Sequence, residues 1–148
     1  MTKDVIVRIS GFQDMEGEQD GVEVITAGSY YMKNGRHYIV YEELMDGFGE
    51  KTRNVVKVSP DKLDIIKSGA VRAHLVFETD KKAVSHYATP MGEMVVGMST
   101  NRINLEEQED SLRLLVDYSL EINYDHVSDC SITMDVCSRA SANLELQA

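Results

Sequence analysis

The chain has 148 residues, of which 43% are hydrophobic and 27% charged, and this is the size and composition of one globular domain. Its 15 Lys and Arg residues against 25 Asp and Glu residues give a formal net charge of −10, which opposes binding to nucleic acid and to anionic membranes. A chain of this mass buries about 68% of its unfolded surface on folding, so we expect a core that needs neither a disulfide nor a metal ion.

The cysteines and the N-terminus both favour a cytoplasmic protein. Cys130 and Cys137 fall in one predicted strand, where seven steps of about 3.3 Å separate them too far for a disulfide. Residues 1–8 lack the apolar run of a secretory signal, and no apolar segment approaches the roughly 18 residues of a membrane span. We therefore predict a reducing, cytoplasmic location and no membrane partner.

Apolar and polar residues alternate with a period of two in short segments separated by turn residues, a pattern typical of antiparallel strands. The predicted strands are 5–9, 22–33, 36–44, 52–58, 63–67, 71–79, 83–89, 94–103, 112–122 and 130–138. Hairpin-length connections between so many strands favour an up-and-down antiparallel β-barrel of about eight to ten strands, because a closed barrel has no exposed edges. We expect a single all-β domain over residues 1–148, ordered from about residue 4 to 139, with a frayed C-terminal tail.

Three segments interrupt the alternation. The acidic, glycine-containing residues 14–21 predict a solvated hairpin loop, and residues 46–49 predict another loop. The charged residues 106–110 also predict a loop, with a short helical turn as the alternative, because acidic side chains suit the first turn of a helix.

The dipeptide Asn34-Gly35 predicts a type I′ turn, which would set the register of the hairpin around it. In that register Gly28 lies opposite Tyr41, leaving room for the ring, and Thr26 lies opposite Glu43. The face predicted to point into the barrel contains Val22, Val24, Tyr30, Met32, Ile39 and Tyr41. Glu43 shares this face, and Lys67, in phase with Leu63 and Ile65, is a cation that would share the interior with it.

Several short segments together resemble the YwiB-like family of small bacterial proteins, and the resemblance covers nearly the whole chain. The segments are Thr26-Ala27-Gly28-Ser29-Tyr30-Tyr31, Tyr38-Ile39-Val40-Tyr41-Glu42-Glu43, Val56-Lys57-Val58 and Lys67-Ser68-Gly69-Ala70-Val71, followed by Phe77, Tyr87, Gly92 and Ser99-Thr100. The resemblance implies a calycin-type, lipocalin-like β-barrel in a cytoplasmic bacterial protein. It implies no reaction and no functional residues.

The leading functional hypothesis is a binding barrel for a small apolar or amphipathic ligand. Glu43, Lys67, Tyr41, Tyr30 and Tyr118 are the predicted ligand-binding residues, since an apolar cavity needs a few polar anchors. The structural alternative is that Glu43 and Lys67 form an ion pair and that the tyrosines fill the core. Methionines at in-phase positions, such as Met94 and Met98, would either line an adaptable pocket or plug the barrel.

Two further hypotheses come from other classes of protein. A filled barrel would instead be an interaction or regulatory module whose acidic segments, 14–20 and 106–110, meet a basic protein partner. An enzyme using Glu43 as a general base would need a raised carboxylate pKa. We predict no metal and no cofactor, because the four histidines lack ligand spacing, and we identify no catalytic residue because no nucleophile motif is present.

Overall fold

The computed structural model describes residues 3–15, 18–44 and 50–139. These residues form ten strands: β1 (Asp4–Met15), β2 (Glu18–Lys33), β3 (Arg36–Leu44), β4 (Lys51–Ser59), β5 (Lys62–Gly69), β6 (Ala73–Glu78), β7 (Lys82–Thr89), β8 (Gly92–Glu107), β9 (Ser111–Ile122) and β10 (Asp125–Ser138). Each of the ten predicted segments corresponds to one of these strands. The prediction of an all-β protein is therefore confirmed.

The strands form one antiparallel sheet in the order β6-β5-β4-β3-β2-β1-β10-β9-β8-β7. Every neighbour is the next strand in the chain except where β1 pairs with β10, so the sheet is an up-and-down meander joined through its first and last strands. Its two end strands, β6 and β7, approach one another at an isolated bridge between Arg72 and Ala88. The sheet is thus a nearly closed barrel, as predicted.

The interior of the barrel is the hydrophobic core. Val5 and Val7 of β1, Ile39 of β3, Val56 of β4 and Val116 of β9 are completely buried, and each belongs to a strand whose side chains alternate between core and surface. The inward side chains of all the strands share this interior. Residues on strands that are not neighbours in the sheet can therefore contact each other there.

The turn at Asn34 and Gly35 forms as predicted. Both residues have positive φ, 53° and 76°, as a type I′ turn requires, and the β2–β3 ladder pairs Gly28 with Tyr41. A Cβ on Gly28 would lie only 3.5 Å from the Tyr41 Cβ and 2.8 Å from the Val40 carbonyl oxygen, so the predicted space for the tyrosine is present.

Part of the predicted inward face is wrong. Val24 and Met32 are 41% and 56% exposed, whereas Ile39 and Tyr41 of the same face are buried. The β2–β3 ladder ends at the pair Gly28–Tyr41, so β2 continues past β3 and the predicted pair of Thr26 with Glu43 lies beyond the ladder. Val24 therefore has no β3 neighbour beside it, and Met32 lies next to the turn, at the end of the barrel.

The predicted loop at residues 14–21 is also wrong over most of its length. The β1–β2 ladder continues to the pair Met15–Glu18, because backbone N–H and C=O groups can pair whatever the charge of the side chains. Residues 106–110 contain the end of β8 and a short connection to β9, with no helical turn. The predicted loop at 46–49 and the predicted frayed tail at 140–148 lie outside the described residues.

Candidate functional site

Three neighbouring strands place Glu43, Asn54 and Lys67 together on the inner side of the barrel. Register pairs Asn54 of β4 with Tyr41 of β3 on one side and with Lys67 of β5 on the other. The Lys67 ammonium donates to Glu43 Oε1 and to Asn54 Oδ1, both at 2.8 Å, and Asn54 Nδ2 donates to the same Glu43 oxygen at 3.0 Å. The predicted proximity of Glu43 and Lys67 is confirmed.

Asn54 is the member of this cluster that the sequence analysis did not identify. It is completely buried between its two charged partners and bonds to both. Its phase with Val56 and Val58, which are both core residues, is the signal that places it inward. A buried carboxamide needs partners for its oxygen and its nitrogen, and Lys67 and Glu43 supply one for each.

The electrostatics of the cluster favour an ionised Glu43. Burial raises the pKa of this carboxyl, but the bonds from Lys67 and Asn54 and the charge of Lys67 together outweigh burial and hold the pKa below its usual value. A general base that works near neutral pH needs a pKa shifted in the opposite direction. The lowered pKa of Glu43 therefore does not favour this carboxyl as a general base.

A cavity of about 320 Å³ lies beside this cluster, and Lys67 is part of its wall. Its apolar lining includes Leu75, Phe77, Met94, Val96, Met98 and Leu120. Met94 and Met98 therefore line open space and do not plug the barrel at this point. A mainly apolar cavity with one charged group at its wall has the composition of a small-molecule site.

Three tyrosines lie in or near the cavity. Tyr118 and Tyr87 line the cavity, and Tyr118 packs edge-on against Phe77 with ring centroids 4.9 Å apart. Tyr41 is buried near Glu43, and burial together with the charge of Glu43 raises the pKa of Tyr41 well above its usual value. The sequence left open whether His86 or Tyr87 points inward, and the structure places Tyr87 there.

Tyr30 belongs to a different cluster from the other predicted site residues. Its hydroxyl lies 2.7 Å from Nδ1 of His37, and Nε2 of His37 lies 2.6 Å from Glu107 Oε1, so the chain of contacts joins β2, β3 and β8. His37 and Glu43 are six residues apart on β3, which is about 20 Å of extended chain. The structure therefore does not bring Tyr30 to the cavity beside Lys67.

The seam between β6 and β7 opens the barrel wall next to this cavity. Near one end, Arg72 and Ala88 exchange two backbone hydrogen bonds of 2.9 Å. At the other end, the turn closes through a hydrogen bond from Lys81 N–H to the Glu78 carbonyl and also bonds to β8: Asp80 N–H donates to the Thr100 carbonyl, and Thr100 N–H donates to the Lys81 carbonyl. Leu75 and Phe77 of β6 and Tyr87 of β7 line the cavity from both sides of this seam.

A larger hollow, of about 580 Å³, lies on the outside of the barrel. Ile6 and Arg8 of β1, Ile25 of β2 and Arg113 of β9 contribute to it, and Arg113 is bound to Asp135 at 2.9 Å. Since Val5 and Val7 fill the core, alternation puts Ile6 and Arg8 on the outer face. The inner cavity is the better candidate site because it joins a largely buried cation to a mainly apolar wall.

Within the described residues, no group of three or more His, Cys, Asp and Glu side chains is arranged to hold a metal ion. His74 and His86 point outward, where they contact Asp64 and Glu93 at 2.9 Å each. Cys130 and Cys137 are unbridged, as their spacing predicts. The same part of the chain contains no helix long and apolar enough to cross a membrane.

The up-and-down sheet, joined through its first and last strands, makes this chain a β-barrel protein. More specifically, residues 7–134 match the model of the family described as a domain of unknown function, DUF1934. The chain is a member of this family.

Two comparisons give relatives of the same architecture. The chain is 27% identical over 133 residues to the uncharacterized beta-barrel protein YwiB of Bacillus subtilis (strain 168), covering 88% of this chain and 92% of that protein. It also matches the crystal structure of the ywiB protein from Bacillus subtilis with a TM-score of 0.83 and 26% identity, covering 92% of each chain. The predicted resemblance is confirmed, whereas the lipocalin-like classification and the cytoplasmic location stay predictions.

Proposed function

We propose that this protein binds a small apolar or amphipathic molecule inside its barrel, in the cavity beside Lys67. The observation that carries the proposal is the combination of about 320 Å³ of mainly apolar space with the ammonium of Lys67 at its wall. A side chain of this kind is normally exposed, and here Lys67 is only 14% exposed. Keeping a cation against an apolar cavity has a solvation cost that a purely structural core would avoid.

The proposed site adds Asn54 and Tyr87 to the residues predicted from the sequence and omits Tyr30. Lys67 is the direct contact, and Glu43 and Asn54 hold its ammonium in place. Tyr118 and Tyr87 belong to the cavity wall, and Tyr41 supports the cluster from the core. Tyr30, which bonds to His37, has no part in the proposed site.

The cavity also bears on the alternative of a filled barrel that recruits a basic partner through acidic segments. That hypothesis has no use for interior space, and Glu107 from the second acidic segment is turned toward His37. The side chains of the first acidic segment, 14–20, lie outside the described residues. We therefore favour the ligand-binding proposal. If the protein binds no small molecule, the hypothesis of a basic protein partner is favoured instead.

Binding of the neutral, apolar dye N-phenyl-1-naphthylamine tests the proposal. Its fluorescence rises in an apolar cavity, so we expect a saturable increase with the natural chain. Val96→Phe places a ring in the cavity and should weaken dye binding at least about tenfold. Val84→Phe, the same substitution at a position that is 55% exposed on β7, should leave binding unchanged.

Two results would contradict the proposal: the absence of saturable binding to the folded natural chain, or equal binding by the Val96→Phe and Val84→Phe variants. Far-ultraviolet circular dichroism and thermal unfolding establish that each variant is folded. Leu120→Phe, which fills the same cavity from β9, replaces Val96→Phe if that variant does not fold.

A further inference from the structure

The Lys67 ammonium has a donor that the protein does not use. An ammonium group has three N–H bonds, and two of them go to Glu43 Oε1 and Asn54 Oδ1, each at 2.8 Å. Within the described residues the structure shows no acceptor for the third. The side chain is 14% exposed and lines the cavity, which leaves this third donor for a molecule bound there.

The net charge at this end of the cavity restricts what can be bound there. Lys67 and Glu43 carry opposite charges and are in direct contact, so the pair is neutral. An anionic ligand would bring a second negative charge close to Glu43, and a cationic ligand would bring a second positive charge close to Lys67. In a region of low dielectric constant both are unfavourable, because like charges repel strongly and each buried ion loses its hydration.

A purely apolar ligand has the opposite disadvantage. It would fill the space next to Lys67 and exclude water, and the third N–H would then have no partner at all. A buried donor left without an acceptor loses its hydration without compensation, and the loss is greater when the donor is charged. A neutral acceptor satisfies the donor and adds no charge.

Building on the proposed function, we infer that the ligand is a neutral molecule with an apolar body and a hydrogen-bond acceptor, such as a ketone, ester or amide carbonyl, that accepts the third N–H of Lys67. The remaining wall suits the apolar body, since Phe77, Met98 and Leu120 present carbon and sulfur. The phenol of Tyr118 packs edge-on against Phe77 and adds an aromatic surface for a flat or cyclic body.

A series of naphthalenes that differ only in one substituent tests this inference. 2-Acetylnaphthalene carries a neutral acceptor, 2-ethylnaphthalene has none, 2-naphthoate is an anion, and 2-(aminomethyl)naphthalene is a cation. Each is titrated against the natural chain by isothermal calorimetry and by displacement of the dye. We expect the acetyl compound to bind about tenfold more tightly than the ethyl compound, and both ions to bind more weakly than the acetyl compound.

Lys67→Met assigns the preference to the ammonium. This substitution keeps a long apolar stem and removes the donor, so the acetyl compound should lose its advantage. The ethyl compound should bind more tightly than to the natural chain, because it no longer leaves an N–H without a partner. The carbonyl stretch of bound 2-acetylnaphthalene, measured by infrared difference spectroscopy, should lie at lower frequency in the natural chain than in Lys67→Met, because a hydrogen bond to an ammonium weakens the C=O bond.

The outcomes separate this inference from the proposed function. Tightest binding of 2-naphthoate or of the cation, or equal binding of the acetyl and ethyl compounds, overturns the inference about the acceptor while leaving a binding cavity in place. Failure of all four compounds and of the dye overturns both. If Lys67→Met does not fold, the order of the four affinities in the natural chain still decides the matter.

Discussion

Lys67 and Glu43 meet at 2.8 Å although they lie on strands that are not neighbours, because Asn54 on the intervening strand β4 bonds to both. The contact spans the inner face of β3, β4 and β5 and ties these strands together through side chains as well as through the backbone ladder. The stability of the cluster and its proposed binding role therefore rest on the same three hydrogen bonds.

A double-mutant cycle measures how strongly the pair is coupled. Lys67→Met leaves the buried Asn54 oxygen without its donor and should lower the free energy of unfolding by about 1–3 kcal/mol. We expect the coupling energy between Lys67→Met and Glu43→Gln, measured by chemical denaturation, to fall between the ~1 kcal/mol of an exposed pair and the ~3 kcal/mol of a buried one. Additivity within about 0.3 kcal/mol would show that the contact does not couple the two residues.

Glu43 should also make stability depend on acid pH. The pKa of Glu43 is lower in the folded protein than its ordinary value of 4.5, so the folded state favours the ionised form. The stabilisation is complete above pH 4.5 and is lost as the pH falls below it, through the pKa of the folded state. Glu43→Gln should reduce this loss in urea titrations at a series of pH values. The exposed neighbour Glu42, changed to Gln, is the control, and equal pH profiles for the two variants would refute the assignment.

Buried tyrosines predict a loss of stability in alkali. Burial raises the pKa of Tyr41 and of Tyr118, with further contributions from Glu43 and Cys130 respectively, so the folded state holds both phenols protonated. Stability should fall as the pH rises above 10, the ordinary value, because the unfolded chain then loses protons that the folded chain keeps. Tyr41→Phe should flatten this decline, and Tyr124→Phe, at a residue 73% exposed, should not. Tyrosinate absorbance, recorded in the same pH titration, shows whether these phenols ionise only as the protein unfolds.

Replacing Thr100 with valine should stabilise the folded protein. Its Oγ1 is buried without a hydrogen-bond partner within the described residues, and Val has the same shape without the hydroxyl. Thr100→Val should raise the free energy of unfolding by up to about 1 kcal/mol. Thr52→Val is the matched control, because the Thr52 hydroxyl accepts the Val71 backbone N–H at 3.2 Å, and its loss should cost about 1–3 kcal/mol. The same sign for both substitutions would contradict this account.

Gly28 should not tolerate a side chain. A Cβ there would lie 2.8 Å from the Val40 carbonyl oxygen and 3.1 Å from Cγ2 of Val7, so the backbone of β3 would have to move. Gly28→Ala should destabilise the protein by about 1–3 kcal/mol in thermal or chemical unfolding. At Gly11 the nearest atom to an added Cβ is 3.9 Å away, so Gly11→Ala should be neutral or slightly stabilising. A loss at Gly11 as large as that at Gly28 would show that space is not the cause.

Local patterns carried much of the prediction. Alternation located all ten strands, and Asn34-Gly35 placed the register that pairs Gly28 with Tyr41, because both depend on neighbours in sequence. The same alternation put Glu43 and Lys67 inside, and the structure confirms their contact. The prediction that Val24 and Met32 are buried was wrong. Alternation shows on which face of a strand a residue lies, but it does not show whether other strands cover that face.

The sequence by itself determined the all-β class, the meander of short hairpins and the inward phase of the charged residues, because strand periodicity and turn chemistry act over a few residues. Only the tertiary structure decided that β6 and β7 leave a seam, that a cavity lies behind it, that Asn54 joins the ion pair and that Tyr30 bonds to His37 instead. These features depend on how the barrel closes and on side chains from strands far apart in the chain, and no local pattern records those distances.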